Sequence, residues 1–275
     1  MIYAALCCTV KDEAPILREW LAFHRAVGFE KIILIDNGST DDTAGIVASF
    51  RDRRSVDLVA RPGRTAQTDL YDEAVASYAS DVEWMAFIDA DEFLYPVDGT
   101  DIRHAIASFG EVGAIAVHWH VYGSNGHVAQ PGGLMIDNFT RRAPDDFLYN
   151  RHVKSIVNLK KAVRARTSHL FEVENGTVDD AGRELPMIPP YGFFEDRLPT
   201  YSKMRINHYH VRSRDYYWTK SQRGYFGMDD GKLENEEKTR MMFEVHDRNE
   251  IDDASAQRFK PLMRFYMQPA SGAGA

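Results

Sequence analysis

Short apolar runs alternate with helical patterns over the first 88 residues, and this alternation limits the fold more than any other feature of the sequence. The runs rich in β-forming residues cover 2–10, 31–35, 56–60 and 84–88. The helical patterns run from the cap Asp12 to Gly28, from 39–42 through Phe50, and from Thr65 to Tyr78. Strands and helices in this order form a parallel sheet with helices on both faces. The sequence therefore predicts an α/β fold with a central, mostly parallel sheet flanked by helices.

The alternation becomes irregular after residue 100. The patterns predict strands over 114–121, within 153–173 and over 207–211, and helices over 101–109, 213–224, 234–246 and 255–267. The tract 175–200 contains four prolines and reads as an irregular insertion or lid without a strand. We expect a catalytic domain over 1–227 with halves 1–110 and 111–227, a C-terminal helical extension over 228–268, and a disordered tail over 269–275.

Composition limits the partners and the compartment. The 275 residues carry a net charge of -8, which argues against nucleic acid as a partner and means that an anionic ligand needs local cations or a bound metal. The two cysteines, Cys7 and Cys8, lie in an apolar run, which indicates packing instead of a disulfide. No apolar stretch reaches roughly 18 residues, and because the first strand pattern begins at Ile2 we expect no leader. The sequence predicts a cytoplasmic protein. For its last helix it favours ordinary packing, with peripheral contact at the inner face of the membrane as the alternative.

Asp89 and Asp91 follow the buried run 84–88 directly. If that strand continues through them, both side chains leave the same face of the sheet, because side chains alternate along a strand. Paired carboxylates are ligands that Mg²⁺ or Mn²⁺ prefers, whereas the plainer interpretation is a solvated strand end. The motif therefore predicts a divalent-cation site.

Two further polar clusters follow neighbouring strands, Lys11–Glu13 and Asp36–Ser39. In open α/β sheets ligands bind beyond the carboxyl ends of the strands, so both clusters are expected to converge with 89–91. Asn37 precedes a glycine, which is also an ordinary turn signal. The sequence thus favours one shared crevice, with a turn as the alternative for Asn37.

His208 or His210 is a candidate metal ligand from the far end of the chain. Both lie just before a helix that carries Lys220 and Arg223, and cations at such a position suit a diphosphate. The residues alone leave the choice of histidine open.

Several separated blocks resemble family-2-type glycosyltransferases with the GT-A fold, the nucleotide-diphospho-sugar transferase fold. The blocks are Thr9–Glu13, Ile35–Thr43 and Ile88–Phe93. The narrower resemblance is to the family-92-like, DUF23-related branch, through Gln67 with Tyr71, Trp84–Leu94, Tyr122–His127, Lys154–Val157 and His208–Gly224. It covers residues 3–227 and implies a metal-dependent enzyme, with 228–268 as an acceptor-side extension.

The resemblance also implies roles for single residues. Asp36 would hydrogen-bond the uracil or ribose, Glu13 would hold the nucleotide pocket, Asp91 would be the main carboxylate on the metal, Asp89 would face ribose and metal, and His208 would complete the metal site. The implied donor-binding set is Thr9, Lys11, Glu13, Asp36, Asn37, Ser39, Arg64, Gln67, Tyr71, Asp89, Ala90, Lys220 and Arg223. The implied acceptor-side set is Trp119, Ser124, Asn125, His127 and Lys154. Asp12 and Asn37 depart from the usual family-2 residues, which affects base recognition.

The implied reaction is transfer of a sugar from a UDP-sugar to a glycan or lipid-linked hydroxyl, as in polysaccharide biosynthesis, by a hexosyltransferase that inverts the anomeric carbon. Inversion needs a carboxylate to accept the hydroxyl proton. The candidates are Asp145, Asp146, Glu195 and Asp196, with Asp196 preferred and His127 as an outside alternative. The competing hypotheses are a catalytically silent nucleotide-sugar or glycan-binding module and a haloacid-dehalogenase-like phosphohydrolase, whose nucleophilic aspartate normally follows the first strand.

Overall fold

The computed structural model describes residues 1–63, 65–185, 192–223 and 236–268, with only the backbone of Arg223. The strands are β1 (Ile2–Val10), β2 (Lys31–Asp36), β3 (Val56–Ala60), β4 (Val82–Phe87), β5 (Glu92–Pro96), β6 (Ala114–Val121), β7 (Arg141–Arg142), β8 (Val153–Asn158), β9 (Ala162–Ala165), β10 (Phe171–Val173), β11 (Thr177–Asp179), β12 (Glu184–Leu185), β13 (Met204–His208) and β14 (Ile251–Asp252). The helices are α1 (Ala14–Val27), α2 (Thr43–Ala48), α3 (Gln67–Tyr78), α4 (Ile102–Ala107), α5 (Met135–Asn138), α6 (Arg214–Arg223), α7 (Glu236–His246) and α8 (Lys260–Met267).

A single large sheet carries the fold. Its strand order is β12-β11-β6-β8-β4-β1-β2-β3, and β13 adds to β6 while also pairing with β5. β1 pairs in parallel with both β2 and β4, and β3 lies parallel to β2, because helices connect these strands. β8 runs antiparallel between β4 and β6. The predicted α/β class with a central, mostly parallel sheet is confirmed.

Asp89 and Asp91 lie in a turn and not on a strand. β4 ends at Phe87, and β5 begins at Glu92. The expectation that the strand carries both carboxylates on one face is therefore wrong. The turn arises because the chain leaves β4 and enters β5, a buried strand that the sequence patterns did not indicate.

β5 is fixed by α1. The indole Nε1 of Trp20 donates to the carbonyl of Glu92 at 2.9 Å. The Leu94 amide donates to His24 Nε2 at 3.2 Å, and His24 Nδ1 lies 2.9 Å from the Trp20 carbonyl. Burial, opposed by that last bond, lowers the pKa of His24 to about 3, so the ring is neutral. These bonds hold the start of β5 directly beside the Asp89–Asp91 turn.

Two expectations for the second half of the chain need correction. The strand expected over 207–211 is β13, at Met204–His208, because its residues pair with both β5 and β6. The tract 175–200, expected to be strandless, contains β11, whose Thr177 pairs with Ala114 of β6. Residues 186–191 of that tract lie outside the described residues.

The C-terminal residues 236–268 belong to the main core. α8 packs along α1, and Phe259 and Met263 are buried in the same apolar cluster as Phe23. Asp253 accepts hydrogen bonds from Arg205 and Arg142, each at 2.7 Å. The proposed boundary at 227/228 and the tail 269–275 lie outside the described residues.

Two smaller expectations can be compared with the described chain. Cys7 and Cys8 are both free and fully buried, as their apolar context predicted. In the described part of the chain, every helix is too short or too polar to cross a lipid bilayer.

Candidate functional site

Asp91, in the turn between β4 and β5, is contacted by two basic side chains. Its Oδ2 accepts a hydrogen bond from Lys220 Nζ of α6, and its Oδ1 lies 3.6 Å from His208 Nε2 at the end of β13. Burial alone would raise the pKa of Asp91, but Lys220 and then His208 hold it well below its ordinary value of 3.8. Asp91 is therefore a buried, charged carboxylate.

Asp91, His208 and His210 form a group that could hold a metal ion. One ligand atom from each lies within 4.8 Å of the others. Burial, followed by Lys220, lowers the pKa of His210 well below 6.5, so its ring is neutral and has a lone pair to offer. A carboxylate oxygen with two imidazole nitrogens suits a divalent metal such as Mn²⁺. The donor set therefore fits a divalent cation, and both histidines that the sequence left as alternatives lie in it.

Asp89 is engaged differently, with neighbours on β8 and α3. Lys154 Nζ donates to Asp89 Oδ2 at 2.7 Å. Gln67 Nε2 lies 3.3 Å from Asp89 Oδ1, 2.9 Å from Thr9 Oγ1 and 2.7 Å from the Tyr71 hydroxyl. Thr9, Gln67 and Tyr71 are thus brought to Asp89 as expected. Lys154, which the resemblance places on the acceptor side, is the buried counter-ion of Asp89, and its expected role remains a prediction.

Glu92 lies beneath this turn and is fully buried. Its Oε2 accepts the Asp89 amide at 2.8 Å, while Oε1 has no hydrogen-bond partner among the described residues. Burial of Glu92, opposed by Lys154 and reinforced by Asp89, raises its pKa well above 4.5. Burial therefore favours the neutral form of this carboxyl, which shapes the turn through its bond to the Asp89 amide.

Glu13 contacts two residues that the sequence did not single out. Arg212 Nη2 lies 3.3 Å from Glu13 Oε2, and the Tyr216 hydroxyl lies 3.3 Å from Oε1. The Arg212 guanidinium stacks over the Tyr216 ring at 4.0 Å and is 1% exposed. Arg212 has φ +48°, a conformation that non-glycine residues rarely adopt and that only surrounding contacts maintain. A lone arginine after a strand gave no sequence signal for this role.

The loops after β1 and β2 meet, as the sequence predicted. Asp12 Oδ1 accepts the Thr40 amide at 2.6 Å, and the Asp12 amide donates to Ser39 Oγ at 3.1 Å. Asp36 Oδ1 accepts both the amide and the hydroxyl of Ser39, at 2.8 and 2.7 Å. Asn37 Nδ2 donates to the carbonyls of residues 61 and 63, at 2.9 and 2.7 Å. Asn37 thus stabilises the turn with its amide group, which was the alternative interpretation.

The remaining donor-side residues are less informative. Lys11 is exposed and Ala90 is buried in the turn. Arg64 and the side chain of Arg223 lie outside the described residues. Their expected roles remain predictions.

The expected acceptor-side residues divide into two groups. Trp119 packs against His208 with 4.1 Å between ring centroids, next to the metal-capable group. Ser124 and Asn125 donate backbone N–H bonds to side chains within 247–249, and Asn125 Nδ2 donates to Thr140 Oγ1. His127 Nε2 lies 3.3 Å from the carbonyl of Asn138. The contacts of this second group are structural.

The candidate bases are exposed on the surface. Asp145 pairs with His120 at 3.0 Å and with Arg142 at 2.7 Å. Asp146, Glu195 and Asp196 are exposed, and the Phe193–His152 bridge places the last two near the start of β8. The contacts within the described chain join none of these four carboxylates to Asp91. The assignment of a base remains a prediction.

Comparison with known proteins gives one family. Residues 6–258 match the family model described as Glycosyltransferase family 92. A glycosyltransferase family 92 protein of Ricinus communis is 25% identical over 76% of this chain and 40% of its own length. Another from Oryza sativa subsp. japonica is 24% identical over 76% of this chain and 38% of its own. The chain therefore spans about two fifths of the length of the curated relatives it matches.

Solved structures give partial likenesses. S. aureus TarS 1-349 in complex with UDP is 14% identical, with a TM-score of 0.39 over 58% of this chain and 47% of that chain. A second crystal structure of S. aureus TarS 1-349 is 12% identical, with a TM-score of 0.44 over 90% of this chain and 70% of that chain.

Proposed function

The chain belongs to glycosyltransferase family 92, as its sequence blocks indicated, and on this premise we propose that it is a metal-dependent glycosyltransferase that uses a UDP-sugar donor. The observation that supports this most strongly is the group Asp91, His208 and His210, whose ligand atoms lie within 4.8 Å of one another. It lies beside cations that suit a diphosphate, Lys220 and Arg212. Family membership also removes the haloacid-dehalogenase-like alternative.

The leaving diphosphate gains negative charge during sugar transfer, and the site offers positive charge to stabilise it. A divalent cation held by Asp91, His208 and His210 would supply Lewis-acid stabilisation. Lys220 and Arg212 would bind diphosphate oxygens directly, while Asp89 would orient the ribose. Glu13 and Asp36 would border the nucleoside at the ends of β1 and β2.

Hexosyl transfer with inversion needs a proton acceptor for the attacking hydroxyl. We assign this role to an exposed carboxylate on the acceptor side, with Asp196 preferred. Asp145 is less suited, because its hydrogen bond to His120 and its pair with Arg142 hold its pKa below the ordinary value, which weakens it as a base. The acceptor would be a glycan or lipid-linked hydroxyl that approaches past Trp119.

One observation favours the silent-module alternative: Asp91 is already paired with Lys220, so the site has a counter-ion without a metal. Incubation with a panel of UDP-sugars distinguishes the two functions. Release of UDP from any donor, measured by a coupled assay, contradicts the silent module. Binding of UDP-sugars without any release or transfer contradicts the enzyme.

Metal dependence is tested by calorimetry with UDP. We expect UDP affinity to fall by about tenfold or more when Mn²⁺ is replaced by EDTA, since coupling between two ligands commonly changes affinity about 5- to 150-fold. Asp91→Asn should lose this dependence, whereas Asp146→Asn, at an exposed carboxylate outside the contacts of Asp91, should retain it. Equal UDP affinity in Mn²⁺ and EDTA for the unmodified protein would sink the proposal of a metal-dependent donor site.

A further inference from the structure

Each aspartate of the Asp89–Asp91 turn forms an ion pair with a lysine in the donor-free protein. Lys154 Nζ lies 2.7 Å from Asp89 Oδ2, and Lys220 Nζ contacts Asp91 Oδ2. The two lysines come from β8 and α6, elements far apart in sequence, so the fold itself brings them to the turn. The carboxylate expected to bind a dication is therefore in contact with an ammonium.

The charges in this cluster balance among the described side chains. Asp89, Asp91 and Glu13 are paired in turn with three cations. These cations are Lys154, Lys220 and Arg212.

A free dication would add uncompensated positive charge to this balanced cluster. It would also compete with Lys220 for Asp91 Oδ2, and like charges at such a distance in a buried site repel strongly. A diphosphate carries negative charge that can pair both with the dication and with the Lys220 ammonium displaced from Asp91. The charge count therefore favours entry of the cation together with the diphosphate over entry of the cation alone.

Lys220 is better placed to move than Lys154. Lys154 is 1% exposed and also donates to the carbonyl of Ser168 at 3.2 Å, so two acceptors hold it. The Lys220 side chain is 16% exposed and lies in the last turn of α6. Its long flexible stem allows the ammonium to change partner without movement of the helix.

We propose that Lys220 is a positioning residue that occupies the place of the cation at Asp91 in the donor-free protein and passes to the diphosphate when donor binds. The inference rests on the proposed function, since it assumes a metal-dependent nucleotide site. Cation and nucleoside diphosphate then bind as a pair, and the free cation binds weakly. Linkage requires the reciprocal effect, so UDP strengthens Mn²⁺ binding by the same factor as Mn²⁺ strengthens UDP binding.

The test measures Mn²⁺ binding to the full chain by electron paramagnetic resonance, with and without saturating UDP. In the unmodified protein we expect UDP to tighten Mn²⁺ binding about tenfold or more. Lys220→Met should bind Mn²⁺ without UDP about tenfold more tightly than the unmodified protein, and UDP should then tighten Mn²⁺ binding by a smaller factor than in the unmodified protein. The matched control is Lys161→Met, which removes a lysine that pairs with Glu111 at 3.1 Å, at the opposite end of β8 from Lys154.

Lys220→Met leaves Asp91 without its ammonium and is expected to unfold at a lower temperature. Thermal unfolding therefore gives a second readout: Mn²⁺ alone should raise the Tm of Lys220→Met more than that of the unmodified protein, because a ligand that binds the folded state stabilises it. Unchanged or weaker Mn²⁺ binding in Lys220→Met, with no larger Tm gain, overturns the inference even if Mn²⁺-dependent UDP binding is intact. If the unmodified protein binds UDP equally well with and without Mn²⁺, the proposed metal-dependent function is contradicted instead.

Discussion

Asp91 and Glu92 are neighbours in sequence and both are buried, yet their surroundings move their pKa values in opposite directions. Burial raises the pKa of Glu92, and the nearby carboxylates reinforce this. Asp91 is also buried, but Lys220 and His208 hold its pKa low. Nearby charge decides which effect dominates. The turn therefore carries one carboxylate whose charged form is favoured, Asp91, and beneath it one whose neutral form is favoured, Glu92.

Glu19 of α1 is a second buried acid, and its protonation predicts a pH dependence of stability. It accepts the amides of Met135 and Ile136 at 2.7 and 3.1 Å, and burial raises its pKa from 4.5 to about 7. Because the folded-state pKa is raised, the neutral form stabilises the fold fully below pH 4.5, and this contribution is lost as pH rises through about 7.

Glu19→Gln cannot lose a proton and should escape this loss. We expect its free energy of unfolding, relative to the unmodified protein, to rise by up to about 3 kcal/mol between pH 4 and pH 8. Urea unfolding followed by circular dichroism at several pH values measures it. Glu111→Gln, at a carboxylate that is 94% exposed, is the control and should show no such trend. If the difference in unfolding free energy between Glu19→Gln and the unmodified protein stays constant between about pH 4 and pH 8, the pKa of Glu19 is not raised.

The sequence identified the residue types of the site better than their individual roles. Asp91 and the histidines could be found because a carboxylate pair after a buried run and a His-Tyr-His segment both suggest metal ligands. Arg212 could not, because its position depends on a left-handed backbone conformation and on stacking against Tyr216. Asn37 looked like a ligand-binding residue, but its amide hydrogens bond backbone carbonyls of the next loop.

At the scale of elements, the site depends on how firmly α1 holds β5. The turn that carries Asp89 and Asp91 joins β4 to β5, so any movement of β5 moves both carboxylates. β4 is held by β1 and β8, whereas the first residue of β5 is held by Trp20 of α1. α1 thus has a positioning role although it supplies no ligand atom.

Trp20→Phe removes the indole N–H and leaves the buried Glu92 carbonyl without this donor. Trp20 is fully buried, so the unmet carbonyl should cost about 1–3 kcal/mol of unfolding free energy, measured in urea. Trp218→Phe is the matched control, because Trp218 is 37% exposed, and its effect should stay within about 0.5 kcal/mol. Equal losses in the two variants would show that the bond to Glu92 contributes no stability.

Elements were predictable where strands and helices alternate and less so where strands return from distant sequence. β1, β3 and β6 were predicted with their observed bounds, because each is a continuous apolar run between turn signals. β5 was missed because its run begins with a glutamate and ends with a proline. β13 was misplaced by a few residues, since its register is set by pairing with β5 and β6, which local sequence does not encode.

At the scale of the whole molecule, the chain closes on itself. α8, from the end of the described chain, packs against α1, from its beginning. Phe259 lies 5.3 Å from Phe23 and 5.6 Å from Tyr95, as edge-to-face ring pairs. The C-terminal residues therefore complete the core beneath α1, the helix that holds the Asp89–Asp91 turn in place. The sequence predicted a C-terminal helical extension over 228–268 but not its partner in the core, because helical periodicity shows which residues are apolar and not which element they contact.

Met263→Ala tests whether α8 is part of this core or an accessory. Met263 is fully buried in the cluster that contains Phe23 and Phe259, so its truncation should lower the unfolding free energy by about 2–5 kcal/mol. The neighbouring Leu262 is 57% exposed, and Leu262→Ala should stay within about 0.5 kcal/mol. Because α8 packs on α1, the loss should appear in a single unfolding transition that also abolishes UDP binding. A separate early transition for Met263→Ala, with UDP binding retained above it, would show that α8 folds as an independent extension.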